Sequence, residues 1–221
     1  MRKVSAIICA YNEEKTIENV IRSVSQAQIV TEIIVVNDGS NDKTKEIIES
    51  LKSKIPLKAI HFDENKGKGY AMATGVENAD GEIITFIDAD ISGLSDTHLK
   101  QLVNPLIRNE ADMVLGFPTK TMINYKINPY KHYTGERSLF KTELEPLLNK
   151  IKYSEYGVEW LINQHFKENK KNVLKIYLEG LQHFSKYEKN KSFLKATKEI
   201  LSEHLNILKT AVKNRFKLFK I

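Results

Sequence analysis

Over the first 120 residues, short β-branched runs alternate with amphipathic stretches, the order expected of a mostly parallel sheet flanked by helices. Strands are predicted over residues 4–9, 32–37, 57–62, 83–88 and 113–116. Between the first two, residues 14–27 set Ile17, Val20, Ile21 and Val24 at helical spacing, and residues 43–52 do the same with Ile47, Ile48 and Leu51. Two more helices are predicted over 67–79 and 95–109, with Ser95 or Asp96 as N-cap of the second.

Beyond residue 116 the period is lost. Residues 118–133 are rich in Tyr, Asn, Lys and Pro and read as a loop region near a site. Order returns at Gly135: residues 155–168 read as a helix and 173–178 as a strand. Residues 191–218 form a long helical pattern carrying Phe193, Leu194, Ile200, Leu201, Leu205, Leu208, Val212 and Phe216. The pattern divides the chain into a domain over 1–185, with halves at 1–120 and 121–185, and a basic amphipathic helical extension over 186–221.

The 221 residues are 41% apolar and 28% charged, which excludes a disordered or fibrous chain. Cys9 is the single cysteine, so an internal disulfide and a cysteine metal cluster are excluded and a reducing, cytoplasmic setting is expected. No run approaches the roughly 18 apolar residues of a membrane span. The net charge of +6 is concentrated after residue 165. Lys209, Lys213, Arg215, Lys217 and Lys220 stand among apolar residues, a pattern suited to an interfacial helix on anionic lipid at the inner membrane face. The competing expectation is a helix packed on the domain or on a partner chain, such as a homo-oligomer's second copy. No recognition motif for nucleic acid accompanies the basic tail.

The strongest chemical signal is Ile83-Ile84-Thr85-Phe86-Ile87-Asp88-Ala89-Asp90, a buried-type strand delivering two acids at its carboxyl end. Ligands of open α/β sheets gather at such ends, and paired carboxylates there are costly unless solvated, hydrogen-bonded or neutralised. Mg²⁺ or Mn²⁺ carrying substrate phosphates suits them; an acidic turn without a ligand is the bland alternative. A second strand ends in Asn37-Asp38-Gly39-Ser40, where Asp38 could accept hydrogen bonds from a base or ribose, or the segment could be a plain turn with Asp42 as cap. Ala10-Tyr11-Asn12-Glu13 ends the first strand at the same edge. Asn65-Lys66-Gly67-Lys68-Gly69 brings cations and a flexible backbone to a helix N-terminus that favours an anion. The complete P-loop pattern and G-x-G-x-x-G after the first strand are both missing.

These four segments, in their order and spacing, resemble the GT-A glycosyltransferases of family 2 type. The resemblance implies a Rossmann-like nucleotide-diphospho-sugar transferase fold, a UDP- or GDP-linked sugar donor, and Mg²⁺ or Mn²⁺ as cofactor. It also implies a donor set of Ala10, Tyr11, Glu13, Asp38, Lys66, Asp88 and Ala89, with Asp90 at the metal and in catalysis. Ala10 stands where the family often has proline, which leaves the donor assignment intact. The segment around His183 resembles one that returns a histidine to the metal, which makes His183 the expected ligand beside Asp90.

Gly135-Glu136-Arg137 is expected on the acceptor side, with Gly135 and Arg137 as binding residues and the Arg137 fork suited to a phosphate; a surface ion pair is the alternative. Glu159, near the start of its helix, is the candidate general base, against a solvated helix acid. The function expected is metal-dependent transfer of a sugar to an acceptor such as polyprenyl phosphate or a small phosphorylated metabolite. A sugar-phosphate nucleotidyltransferase and a catalytically silent nucleotide-sugar binding protein are the alternatives.

Overall fold

The computed structural model describes residues 2–120, 134–154 and 157–184. Residues 121–133 of the loop expected over 118–133, Tyr156 and the helical extension over 186–221 lie outside them, so the proposed division at residue 185 rests on sequence alone. Among the described residues the chain runs β1 (Val4–Ala10), α1 (Ile17–Ser25), β2 (Glu32–Asn37), α2 (Thr44–Lys52), β3 (Lys58–His61), α3 (Lys68–Glu77), β4 (Ile83–Asp88) and β5 (Ile91–Ser92). There follow α4 (Asp96–Ile107), β6 (Met113–Lys120), β7 (Arg137–Phe140), α5 (Lys141–Leu144), a 3-10 turn (Glu145–Leu147), α6 (Leu148–Lys152), α7 (Val158–Glu168) and β8 (Val173–His183).

One sheet holds all eight strands in the order β3-β2-β1-β4-β7-β6-β8-β5. Its left half is parallel, with Ile7 of β1 level with Ile34 of β2 and Phe86 of β4. β7 runs antiparallel between β4 and β6, and β5 runs antiparallel to the end of β8. Strand alternation assigns each side chain a face. Val4, Ala6, Ile8, Ile33 and Val35 pack under α1, α2 and α4, against Ile17, Ile21, Ile48 and Leu102. Ile7, Ile34, Val36 and Phe86 take the opposite face, with Met72 and Val76 of α3 and Ile162 and Phe166 of α7.

The elements start where backbone bonding permits. The N–H groups of Thr16 and Ile17 both close onto the Glu13 carbonyl at 3.1 and 3.0 Å, so the first helix begins later than its apolar spacing suggests. Ser95 caps α4 as expected, its side chain accepting from His98 N–H. Pro118, expected in an irregular stretch, lies inside β6. A register shift between Pro118 and Lys120 accommodates the missing N–H there. β8 continues past residue 178 to His183 because β5 pairs with its end, Ile91 opposite His183 and Ser92 opposite Gln182.

The chain builds from β1 through β2 to β3 on one side, and β4 then joins the other side of β1. Such a reversal opens a crevice beyond the carboxyl ends of the two strands. Tyr11 follows β1 there and Asp88 ends β4.

Phe166 is fully buried and anchors α7 on the sheet. Phe166→Ala is expected to lower the unfolding free energy by about 3–5 kcal/mol, read as a lower urea midpoint with an unchanged slope.

Candidate active site

The loops after β1 and β2 are laced together by side-chain to backbone bonds. Asn12, whose φ of 58° is one that asparagine tolerates, accepts from Asn41 N–H through Oδ1 at 2.9 Å and donates its own N–H to Ser40 Oγ at 2.9 Å. Glu13 N–H reaches Thr44 Oγ1 at 2.8 Å. Asp42 accepts from the N–H groups of Glu14 and Thr44, bracing the turn without serving as the helix cap residue. Tyr11 is left 42% exposed at the rim.

Asp38 is buried, and its two carboxylate oxygens accept from Lys66 N–H at 2.7 Å and Gly67 N–H at 3.0 Å. Burial pushes its carboxyl above the usual range, against the pull of those two bonds. Asp38 thereby fastens the glycine-containing turn that starts α3. Gly39, at φ +68°, lies so close to the Glu64–Asn65 backbone that a Cβ would overlap it. The Lys66 ammonium stands over the rings of Phe62 and Tyr70, 5.4 and 5.1 Å from their centroids.

Two positions on, Lys68 turns into the crevice. Its Nζ lies 3.1 Å from Asp88 Oδ1 and 2.7 Å from Glu159 Oε1, joining the end of β4 to the first turn of α7. Burial raises the Asp88 carboxyl, Lys68 offsets part of that, and Glu136 and Asp90 add to it. Burial disfavours the Lys68 cation, yet Asp88 and Glu159 outweigh it and hold the ammonium protonated. Lys68 is a site residue that sequence reasoning passed over, although it lies within the singled-out Asn65–Gly69 segment. Only the first turn of α3 decides which of the two lysines faces the acids.

A second acid was also passed over. Glu136 is fully buried just before β7, with Oε2 3.2 Å from His183 Nε2. The Thr134 hydroxyl lies 2.6 Å from both Glu136 Oε2 and the Gly116 carbonyl, with one proton to share between them. Glu136 Oε1 is buried with no hydrogen-bond partner among the described residues. His183 presents Nδ1 to Asp90 Oδ1 at 3.4 Å. Its position follows from β5 pairing with β8, reinforced by the 2.8 Å bond from Phe184 N–H to the Asp90 carbonyl. Burial opposes a charged imidazole, but Glu136 and Asp90 raise its pKa well above the ordinary value. Burial likewise opposes the Glu136 carboxylate, and His183 and Thr134 overcome it.

A carboxylate oxygen from Asp88, one from Glu136 and an imidazole nitrogen from His183 fall within 4.8 Å of one another. Two oxygens and one nitrogen, with an unpartnered buried oxygen on one of the donors, fit a hard or borderline divalent ion. The converging set thus differs from the expected pair: Asp88 and Glu136 join His183, while Asp90 meets the other ring nitrogen. Gly135 packs against Asp88 so closely that a Cβ would fall on the carboxylate. Arg137 differs from expectation more sharply. It is fully buried, and its guanidinium donates to the Thr134 carbonyl and to Asn163 Oδ1 at 3.2 Å. A central strand position between β4 and β6 holds it in the interior, not in the surface ion pair that was the alternative.

Residues 5–171 match the model of the family described as glycosyl transferase family 2. A dolichol-phosphate mannosyltransferase from Pyrococcus furiosus is 34% identical over 119 residues, covering 52% of this chain and 32% of that protein. A 4,4'-diaponeurosporenoate glycosyltransferase from Staphylococcus haemolyticus is 30% identical over 138 residues, covering 61% of this chain and 36% of the other. The chain therefore spans about a third of the length of these curated relatives. Among solved structures, glucosyl-3-phosphoglycerate synthase from Mycobacterium tuberculosis, in complex with Mn²⁺, UDP and phosphoglyceric acid, superposes with a TM-score of 0.74 at 20% identity. That match covers 96% of this chain and 78% of the other and shares the mixed sheet with flanking helices of the GT-A fold. With three quarters of its length inside the family match and the chemistry gathered at the β1–β4 crevice, the protein belongs to glycosyl transferase family 2.

Proposed function

We propose that this protein transfers a sugar from a nucleotide-diphospho-sugar to an acceptor, with Mg²⁺ or Mn²⁺ as cofactor. The observation that carries the reading is the convergence of Asp88, Glu136 and His183 beside Asp90 at the crevice where a donor's diphosphate would enter. The named activities of the mannosyltransferase and of the synthase, the latter bound to Mn²⁺ and UDP, support it. Ala10, Tyr11, Glu13, Asp38, Lys66, Asp88 and Ala89 form the proposed donor side, and Asp90 and His183 the core of the metal site.

When bound, the divalent ion supplies electrostatic stabilisation of the leaving diphosphate. The protein's own groups do the rest. Asp38 fastens the turn that starts α3, and a helix N-terminus is a setting that favours phosphate. Lys68 neutralises Asp88 and fixes Glu159, the proposed acceptor of a proton from an attacking hydroxyl. An ionised phosphate acceptor needs no such base. Gly135 lines the acceptor side and leaves Asp88 room, and Arg137 serves as a buried countercharge behind the acids. The acceptor class proposed is a phosphorylated molecule, as the dolichol-phosphate and phosphoglycerate in the names of the relatives suggest. A polyprenyl phosphate would call on the basic stretch after residue 204 for membrane contact.

Four outcomes are expected. In calorimetric titration with UDP-, GDP-, ADP- and CDP-sugars, one nucleotide class should bind only with Mn²⁺. Asp90→Ala should lose that binding and all metal-dependent turnover with its melting temperature unchanged; full turnover in the variant would remove Asp90 from the site. Gly135→Ala, by pushing the Asp88 carboxylate aside, should weaken donor binding at least tenfold in the same titration. Lys68→Met leaves two buried carboxylates without their cation and should cost about 3–5 kcal/mol in urea unfolding, part of which Lys68→Met/Glu159→Gln should recover.

A further inference from the structure

The expected metal residues are Asp90 and His183; the structure sets Glu136 beside them with one carboxylate oxygen unsatisfied among the described residues. A buried carboxylate costs several kcal/mol unless its oxygens are satisfied. Oε2 has the Thr134 hydroxyl and His183 Nε2 as neighbours. Oε1 has none among the described residues, although Glu136 is fully buried. Arg137, the adjacent cation, spends its guanidinium on Thr134 and Asn163 and its Nε is itself unpartnered. A Glu136–Arg137 ion pair, which would satisfy both, is not formed among the described residues.

The cluster's charge points the same way. Asp88, Asp90, Glu136 and Glu159 face two permanently charged cations, Lys68 and Arg137. The carboxylates outnumber the lysine and arginine beside them by two, a surplus that suits one divalent ion.

We propose that Glu136 is a protein ligand of the divalent ion, and that this third carboxylate lets the protein hold the ion before any nucleotide arrives. Sites with few protein ligands lean on substrate phosphates to complete the ion's coordination. A site offering Asp88, Glu136 and His183 within 4.8 Å of one another, with Asp90 adjoining, has enough donors of its own. The ion is then a resident part of the enzyme, and the donor binds to a preformed cationic site. This inference rests on the metal-dependent reading above.

The test is calorimetric titration of Mn²⁺ alone into the nucleotide-free full chain, repeated with UDP present, for wild type, Glu136→Gln and Glu136→Asp. Melting curves taken without metal check each fold. Wild type should bind one Mn²⁺ without UDP. Glu136→Gln, which keeps the shape and loses the charge, should weaken that binding about 10–100-fold, the scale on which supporting groups of metal sites act. Glu136→Asp, which keeps the charge on a shorter arm, should fall between and carries the test if the glutamine variant does not fold. Equal Mn²⁺ affinity in wild type and the folded variants would overturn the ligand assignment and leave the metal-dependent reading standing. Mn²⁺ binding by wild type only when UDP is present would overturn residency alone. No Mn²⁺ binding even with UDP would overturn the metal-dependent reading itself, and this inference with it.

Discussion

The cost of holding carboxylates away from water governs this site. Asp88, Glu136 and Glu159 come from three separate elements and are each withdrawn from solvent to a large degree. In a low-dielectric setting, like charges so gathered repel strongly and are tolerated only with countercharges at close range. Lys68 is the hub of that compensation. Its ammonium ties the end of β4 to the start of α7, so the electrostatic solution also fixes the geometry of two elements that are far apart in sequence.

The rest of the architecture works to bring those groups together. Reversal of strand order at β1 opens the crevice, and the laced loops after β1 and β2 hold its rim. The antiparallel insertion of β7 carries Glu136 and Arg137 into the middle of the sheet, where a surface loop would have left them in water. The β5–β8 pairing closes the far side by returning His183 to the acids at the end of β4. The strand links are backbone hydrogen bonds and the loop links run from side chain to backbone, and such pairing is what a site needs when its side chains must be held to within tenths of an ångström.

The proposed phosphate side has a different character. Asp38 acts through the backbone, accepting from two N–H groups at the start of α3, and Lys66 leans on aromatic rings. The lysine that enters the acidic crevice is Lys68. A motif of two lysines separated by one glycine carries two distinct tasks, one at the aromatic rim and one at the charge cluster, because consecutive positions at a helix start point in different directions.

Much of the fold was legible in the residues alone. Runs such as Ile33-Ile34-Val35-Val36 can only be strands covered on both faces, and the helical spacing of Ile17, Val20, Ile21 and Val24 admits a single covering face, so β1 to β4 and their helices follow from local hydrophobic period. Asp88, Asp90 and Asp38 were legible for the same reason: a strand's carboxyl end is a place that sequence can name. Glu136, Lys68 and the buried state of Arg137 were not. Their environments come from β7 slotting between β4 and β6 and from α7 docking against the start of α3. Such long-range pairings depend on backbone hydrogen bonds and packed surfaces that no local pattern records. The chain's own residues determined which chemistry was available, and only the tertiary structure decided which acids share a cation and which converge on His183, because charge acts through distance in space.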